Sequence, residues 1–187
     1  MTLDTTSRIG IATLALSASG LVYIAQREGY RADAYPDAVH GAAVPTIGYG
    51  TTGGVKMGDK TTPDRALVRL RADAREAEIA LKRCLPQVPM HPWEWDAVVA
   101  LAHNTGVTTV CKNNARTGYS TLAARLAVQD YTGMCNAILL YDRAGPVNKP
   151  SDRCSHPDNR TCRGVWRDRQ ALQAMCLGQV QATQVLP

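Results

Sequence analysis

Residues 27–52 read REGYRADAYPDAVHGAAVPTIGYGTT, and the rest of the chain takes its meaning from them. Near the end of this stretch, Gly48, Gly50 and Gly53 fall at the spacing G-x-G-x-x-G, the fingerprint of a dinucleotide-binding turn. That fingerprint has physical content only where a strand ends and a helix begins, so that a pyrophosphate rests on the helix N-terminus. Here the next residues are VKMGDK at 55–60, with no apolar helical period, and no acid stands about twenty positions on at the end of a second strand. The glycines read instead as turns between short strands, where positive φ or close backbone approach is needed. Residues 29–58, rich in Gly, Pro, Asp and Tyr, then form a small lobe of hairpins.

The same stretch carries two acids close in sequence but on different elements. Glu28 stands where an apolar run gives way to Gly29, and Asp37 follows in a Pro-Asp turn. Two carboxyl groups facing each other suit glycosidic hydrolysis, in which one gives a proton to the leaving oxygen and the other stays charged. A helix end beside apolar surface suits the protonated role, and a hydrated turn suits the charged one. Taken alone, a Glu before Gly is usually a helix end and a Pro-Asp usually a turn; their joint spacing with TIGYG is what points to chemistry. Asp33 is the runner-up acid.

Upstream, residues 9–25 read IGIATLALSASGLVYIA, seventeen residues without a charge. A helix crossing a bilayer needs about 20 mainly apolar residues and at least about 17. The run is diluted by Gly10, Thr13, Ser17, Ser19 and Gly20, so three readings compete: a weak membrane anchor, a cleaved signal peptide, or a buried first helix. Asp4 and Arg8 make a poor basic leader, although SAS at 17–19 offers small residues for cleavage. The weak anchor is preferred.

Downstream, Thr62-Pro63-Asp64 opens a helix with a capping residue, a proline in the first turn and an acid at the positive end of the dipole. Leu67, Leu70, Ala74, Ala77 and Leu81 carry it to about Cys84. Further helices are predicted at about 92–104, 120–129, 131–142 and 163–177, with Gly106 stopping the first and Ser120 capping the second. Residues 144–161 are a loop of Gly, Pro, Asn, Ser and Asp. The class is α+β and mostly helical, in one domain of 187 residues with two lobes.

Six cysteines suit an oxidising compartment. Of the possible pairings only Cys154–Cys162 is favoured, because it staples a short loop. Cys154, His156 and Cys162 offer three metal ligands without a fourth at a familiar spacing, and no metal or cofactor is expected. The net charge is +5, with seven basic residues against three Asp from Arg143 to Arg169. Such a patch favours a polyanion: nucleic acid, lipid headgroups or an acidic wall polymer.

The elements EG, D and TIGYG resemble the phage-type lysozymes, or endolysins, of glycoside hydrolase family twenty-four. Their pattern is Glu-Gly at the end of the first helix, Asp nine positions on, and Thr opening T-x-G-x-G. Glu28 and Asp37 match the spacing, and Thr46 matches by its context. Thr46 lies nine positions past Asp37, about three more than the pattern, which predicts an insertion in the hairpin. WDAVVALAHNTG at 95–106 is similar to the family's central helix ending in Asn-x-Gly, and RGVWRDRQAL at 163–172 to its G-L-x-x-R-R helix. The loop around Cys154 and Cys162 has no counterpart in that pattern.

The resemblance implies a lysozyme-like fold: a β-hairpin lobe at about 28–60, a linking helix at about 62–84 and a helical lobe at about 85–187. Residues 1–27 would form the apolar helix, an anchor that later joins the fold. It implies a muramidase cutting the β-1,4 bond between N-acetylmuramic acid and N-acetylglucosamine of peptidoglycan during phage-induced lysis. Glu28 would be the general acid, Asp37 would stabilise positive charge or help activate water, and Thr46 would hold that water. Trp166 and Arg169 read as core packing and groove-edge charge, and His103 and Asn104 as capping or packing residues. The expected partners are peptidoglycan and, transiently, the inner membrane through residues 9–25, with no nucleic acid, for a monomer that is tethered and then released into the periplasm. A lytic transglycosylase and a non-catalytic wall-binding module are the alternative functions.

Overall fold

The computed structural model describes residues 7–37, 41–112, 118–145 and 148–184; Asp4 of the leader lies outside them. The chain opens with a two-residue strand, β1 (Ile9–Gly10), followed by α1 (Ala18–Glu28), β2 (Arg31–Asp37) and β3 (Gly41–Gly48). The long α2 (Pro63–Cys84) leads to β4 (Pro89–Met90), α3 (Pro92–Thr105), α4 (Val107–Cys111), α5 (Thr121–Ala127), α6 (Tyr131–Ala137) and α7 (Arg163–Cys176). Both sheets are antiparallel pairs: β1 with β4, and β2 with β3.

The expected helices are present from α2 onward, but the one expected over 131–142 ends at Ala137 and continues only as a 3-10 turn over Ile138–Leu140. Ser120 caps α5, its hydroxyl accepting from the Ala123 N–H at 3.0 Å, and Gly106 ends α3. The short α4 is an addition to the expected set. Thr62 opens α2 differently from expectation, because its hydroxyl donates to the Asp64 carboxylate rather than accepting from the helix backbone. The core lies in the helical lobe around α3, where every residue from Glu94 to Ala102 is buried. Such a helix has no solvent face to make it amphipathic. Its Trp95 and Leu101 pack in one core with Leu70 and Leu81 of α2 and Met175 of α7, all but excluded from solvent.

The N-terminal run departs from the single apolar helix expected over residues 1–27. Its first half is a strand, a turn and an extended stretch, and helix begins only at Ala18. Side chains of α2 and α3 replace the helical hydrogen bonds. Lys82 Nζ donates to the carbonyls of Ala12 (3.2 Å) and Leu14 (2.5 Å), and Glu78 accepts from the Leu16 N–H at 2.6 Å. Asp96 accepts from the Ser17 N–H at 2.8 Å and from its hydroxyl, and that hydroxyl caps α1 by accepting from the Gly20 N–H at 3.0 Å. Ahead of these, Arg8 pairs with both oxygens of buried Glu94 and lies 3.6 Å over the Tyr131 ring. Ile11 and Leu14 enter the core at 1% and 2% exposure. Packed, the run is a clasp across two helices.

Three disulfides tie the helical lobe: Cys84–Cys111, Cys135–Cys176 and the expected Cys154–Cys162. The last takes both thiols that a metal would have used.

Candidate active site

Glu28 is the last residue of α1, and Gly29 stops the helix by taking φ 70° while its N–H donates to the Ala25 carbonyl at 3.1 Å. The turn after β3 then closes on the helix end. Ile47 and Thr51 exchange both backbone hydrogen bonds, at 2.9 and 3.1 Å, round a loop in which Gly48 and Gly50 take φ 66° and 85°. These left-handed angles are the turn chemistry read from the sequence. Gly50 has a second reason to lack a side chain, since a Cβ there would sit 3.2 Å from Glu28 Oε2. Thr51 fastens the turn to α2 through its hydroxyl, 2.7 Å from Asp73 Oδ2.

Asp37 and Thr46 share this hairpin. Thr46 is buried opposite Tyr35, and Asp37, half-buried at the end of β2, is paired with Gly41. Between the partners of Pro36 and Asp37, β3 carries three extra residues, Ala42, Ala43 and Val44. This irregularity is where the sequence predicts an insertion, and the Val44 carbonyl lies 3.5 Å from the Thr46 hydroxyl. The runner-up Asp33 is exposed and pairs with exposed Lys60 at 3.0 Å, a rim contact of little energetic weight.

On the other side of Glu28 the helical lobe supplies a cavity of about 120 Å³, lined by Tyr23, Arg27, Ala100, Asn104, Val165 and Asp168 among others. A wider trough of about 630 Å³ shares Asn104 and Val165 and runs on to Tyr141, Arg143 and Gly145. Beneath both lies a charged cluster. Asp168 accepts from the Tyr23 hydroxyl (2.7 Å), from Arg27 Nε (2.8 Å) and from Arg169, while Arg169 also donates to the Tyr141 carbonyl (3.0 Å) and the Asn104 side chain. Burial, with Asp168 beside it, pushes the Tyr23 phenol far above its ordinary range.

Two sequence readings change here. Arg169 is 1% exposed, so it is a buried strut and not a charge on the groove edge, whereas Trp166 is only half-buried. Set against G-L-x-x-R-R, Asp168 stands at the first of the two arginines and pairs with Arg27. His103, read as a packing residue, has its Nδ1 3.4 Å from Glu28 Oε1. The signal for it was slight: a polar His-Asn pair ending an otherwise apolar helix.

Among known proteins, the family described as Phage lysozyme matches residues 25–152. The SAR-endolysin of Pseudomonas phage phiKMV is 33% identical over 168 residues, covering 83% of this chain and 96% of that protein. In fold, the endolysin from Escherichia coli O157:H7 phage FAHEc1 superposes with a TM-score of 0.71 at 27% identity, covering 90% of this chain and 97% of that one. The active form of P1 phage endolysin Lyz gives a TM-score of 0.71 at 20% identity, over 94% of this chain and 98% of that one. Its secreted inactive form gives 0.52 at 18%, over 89% and 97%.

Proposed function

This chain belongs to the phage lysozyme family, and from that premise we propose how Glu28, Asp37 and Thr46 divide the work of cleaving peptidoglycan. The protein is a glycoside hydrolase of the endolysin kind, a peptidoglycan hydrolase for host-cell lysis. In the proposed mechanism Glu28 gives its proton to the oxygen leaving N-acetylmuramic acid, at the β-1,4 bond to N-acetylglucosamine. Asp37 stays ionised, stabilises the oxocarbenium-like charge and helps activate water, which the Thr46 hydroxyl holds. One observation carries this reading: the Glu28 carboxylate lines a cavity of the helical lobe while lying against Gly50, in the turn that directly follows the hairpin bearing Asp37 and Thr46. Glu28→Gln keeps the shape but has no proton to deliver, so it should fold normally and lose lysis of outer-membrane-permeabilised cells. Clearing at a tenth of the wild-type rate would remove Glu28 from the role. A lytic transglycosylase needs only the acid, and mass spectrometry of the released muropeptides separates anhydro from hydrated ends.

The same reading extends to location. Among the described residues no helix is long and apolar enough to cross a membrane. The likeness to a SAR-endolysin and the uncharged run at 9–25 support a precursor held in the inner membrane by that run and later released, uncleaved, into the periplasm as an active monomer. Gly10→Leu tests this cleanly, because Gly10 is exposed and a Cβ there meets nothing within 4 Å. It raises the apolarity of the run without harming the folded clasp, so the membrane fraction should grow and lysis should be delayed. N-terminal sequencing that finds the soluble form starting near Gly20 would replace release by signal cleavage.

A further inference from the structure

The imidazole beside Glu28 has an unusual setting. His103 Nδ1 is shielded from solvent and makes no hydrogen bond, yet it lies 3.4 Å from Glu28 Oε1. A buried polar atom without a partner is costly, and the nearby carboxyl oxygen is where a partner stands. One proton between the two atoms satisfies both. It is either a carboxylic O–H donating to neutral Nδ1 or an imidazolium N–H donating to the carboxylate.

We propose that His103 is a positioning residue for the Glu28 proton: imidazole and carboxyl share one proton between Nδ1 and Oε1, and the imidazole holds the carboxyl where it can give that proton up. This rests on Glu28 being the general acid. A carboxyl ordinarily keeps its proton to about pH 4.3 and an imidazole to about 6.5, so replacing the imidazole removes a second place for the proton to rest. The step balances. The proton passes from Nδ1 to Oε1, leaving a neutral imidazole that carries its hydrogen on Nε2, and the carboxyl gives that proton to the leaving oxygen. The attacking water releases one proton to Asp37 and so to solvent. Solvent then reloads the pair through Glu28, whose side chain is 28% exposed against 16% for His103.

The surroundings leave this exchange to the pair. Arg27 on α1 and Arg169 on α7 are both committed to Asp168, which also accepts from Tyr23. The turn after β3 brings Gly50 to this side, and Asp37 stands at the end of β2.

The test is a lysis rate against pH, at constant ionic strength, for wild type, His103→Gln and His103→Phe, with Glu28→Gln as control and thermal melts to verify folding. Gln retains a hydrogen-bond donor for Oε1 but holds no titratable proton, so it separates shape from proton storage. Both His103 variants should stay within about threefold of wild type near pH 5 and fall at least about tenfold below it near pH 7, the alkaline limb moving toward acid. A His103→Gln profile that parallels wild type, whether lowered uniformly or unchanged, overturns the proposal and leaves His103 a packing residue. If His103→Phe does not fold, the Gln profile decides by itself. Activity in Glu28→Gln would instead overturn the general-acid assignment, which is a different failure.

Discussion

Gly20→Ala sets two known effects against each other. Alanine inside a helix is favoured over glycine by about 1 kcal/mol. At Gly20, however, the new methyl would lie 2.7 Å from Leu16 Cδ1 and 2.8 and 2.9 Å from Cγ and Oδ1 of Asp96. Relieving that overlap means moving the carboxylate that holds the Ser17 N–H and hydroxyl, or lifting α1 away from α3. Overpacking of this kind costs about 1–3 kcal/mol, and weakened Ser17 contacts add to it. The net expectation is a loss of about 1–2 kcal/mol, or a midpoint lowered by roughly 3–6 °C for a domain of this size. Thermal unfolding followed by circular dichroism reads the shift directly. Activity should fall further than stability at working temperature, because a displaced α1 carries Glu28 at its other end. A midpoint equal to or above wild type would mean that helix propensity wins and that α1 is not pressed against Asp96.

In parallel lysis assays Asp37→Asn should lose most activity while Asp33→Asn keeps nearly all of it; the opposite ranking would put the second carboxylate at 33. Burial holds the Asp96 carboxyl above its ordinary 3.8, only partly offset by the bonds from Ser17. Its ionised form therefore weighs against the fold, and its contribution is fully present below 3.8 and lost as pH rises through the raised value. The stability of wild type relative to Asp96→Asn should accordingly be greatest at acid pH and decline across that window. Chemical denaturation at a series of pH values measures it, and a difference that grows with pH would contradict the burial argument.

Much of this molecule is legible in local signals. The α2 start at Pro63, the stop of α3 at Gly106, the cap at Ser120 and the hairpin turns at Gly48 and Gly50 all depend on neighbours within a few residues. The three-residue surplus between Asp37 and Thr46 gave away the irregularity in β3 by counting. What could not be read depends on groups far apart in sequence. The N-terminal run looks like one helix because its competing partners, Glu78, Lys82, Glu94 and Asp96, are supplied by α2 and α3. Arg169 looked like surface charge because nothing nearby in sequence reveals that Asp168, Asn104 and the Tyr141 carbonyl enclose it. His103 gained meaning only when a turn of glycines pressed Glu28 toward it.

All six cysteines lie at or beyond position 84, whereas the clasp that seats α1 is made by residues 8–17. Covalent maturation and seating of the catalytic helix are therefore separable in time. In a tethered precursor, oxidative folding can lock the α2–α4 and α6–α7 junctions while the first residues are still in lipid. What awaits them is a receptacle: Glu78 and Lys82 stand on α2, which the Cys84–Cys111 bridge ties to α4, and Glu94 and Asp96 stand on α3, the helix between those two in the chain. The run then behaves as a ligand joined to its own receptor, binding by backbone hydrogen bonds and two apolar plugs, Ile11 and Leu14. Because the joining chain keeps its local concentration high, arrival needs no partner protein and no further chemistry. On the proposed release route the timing of lysis would depend on how long seventeen uncharged residues stay in a bilayer, a quantity that a substitution such as Gly10→Leu would tune without touching the catalytic groups.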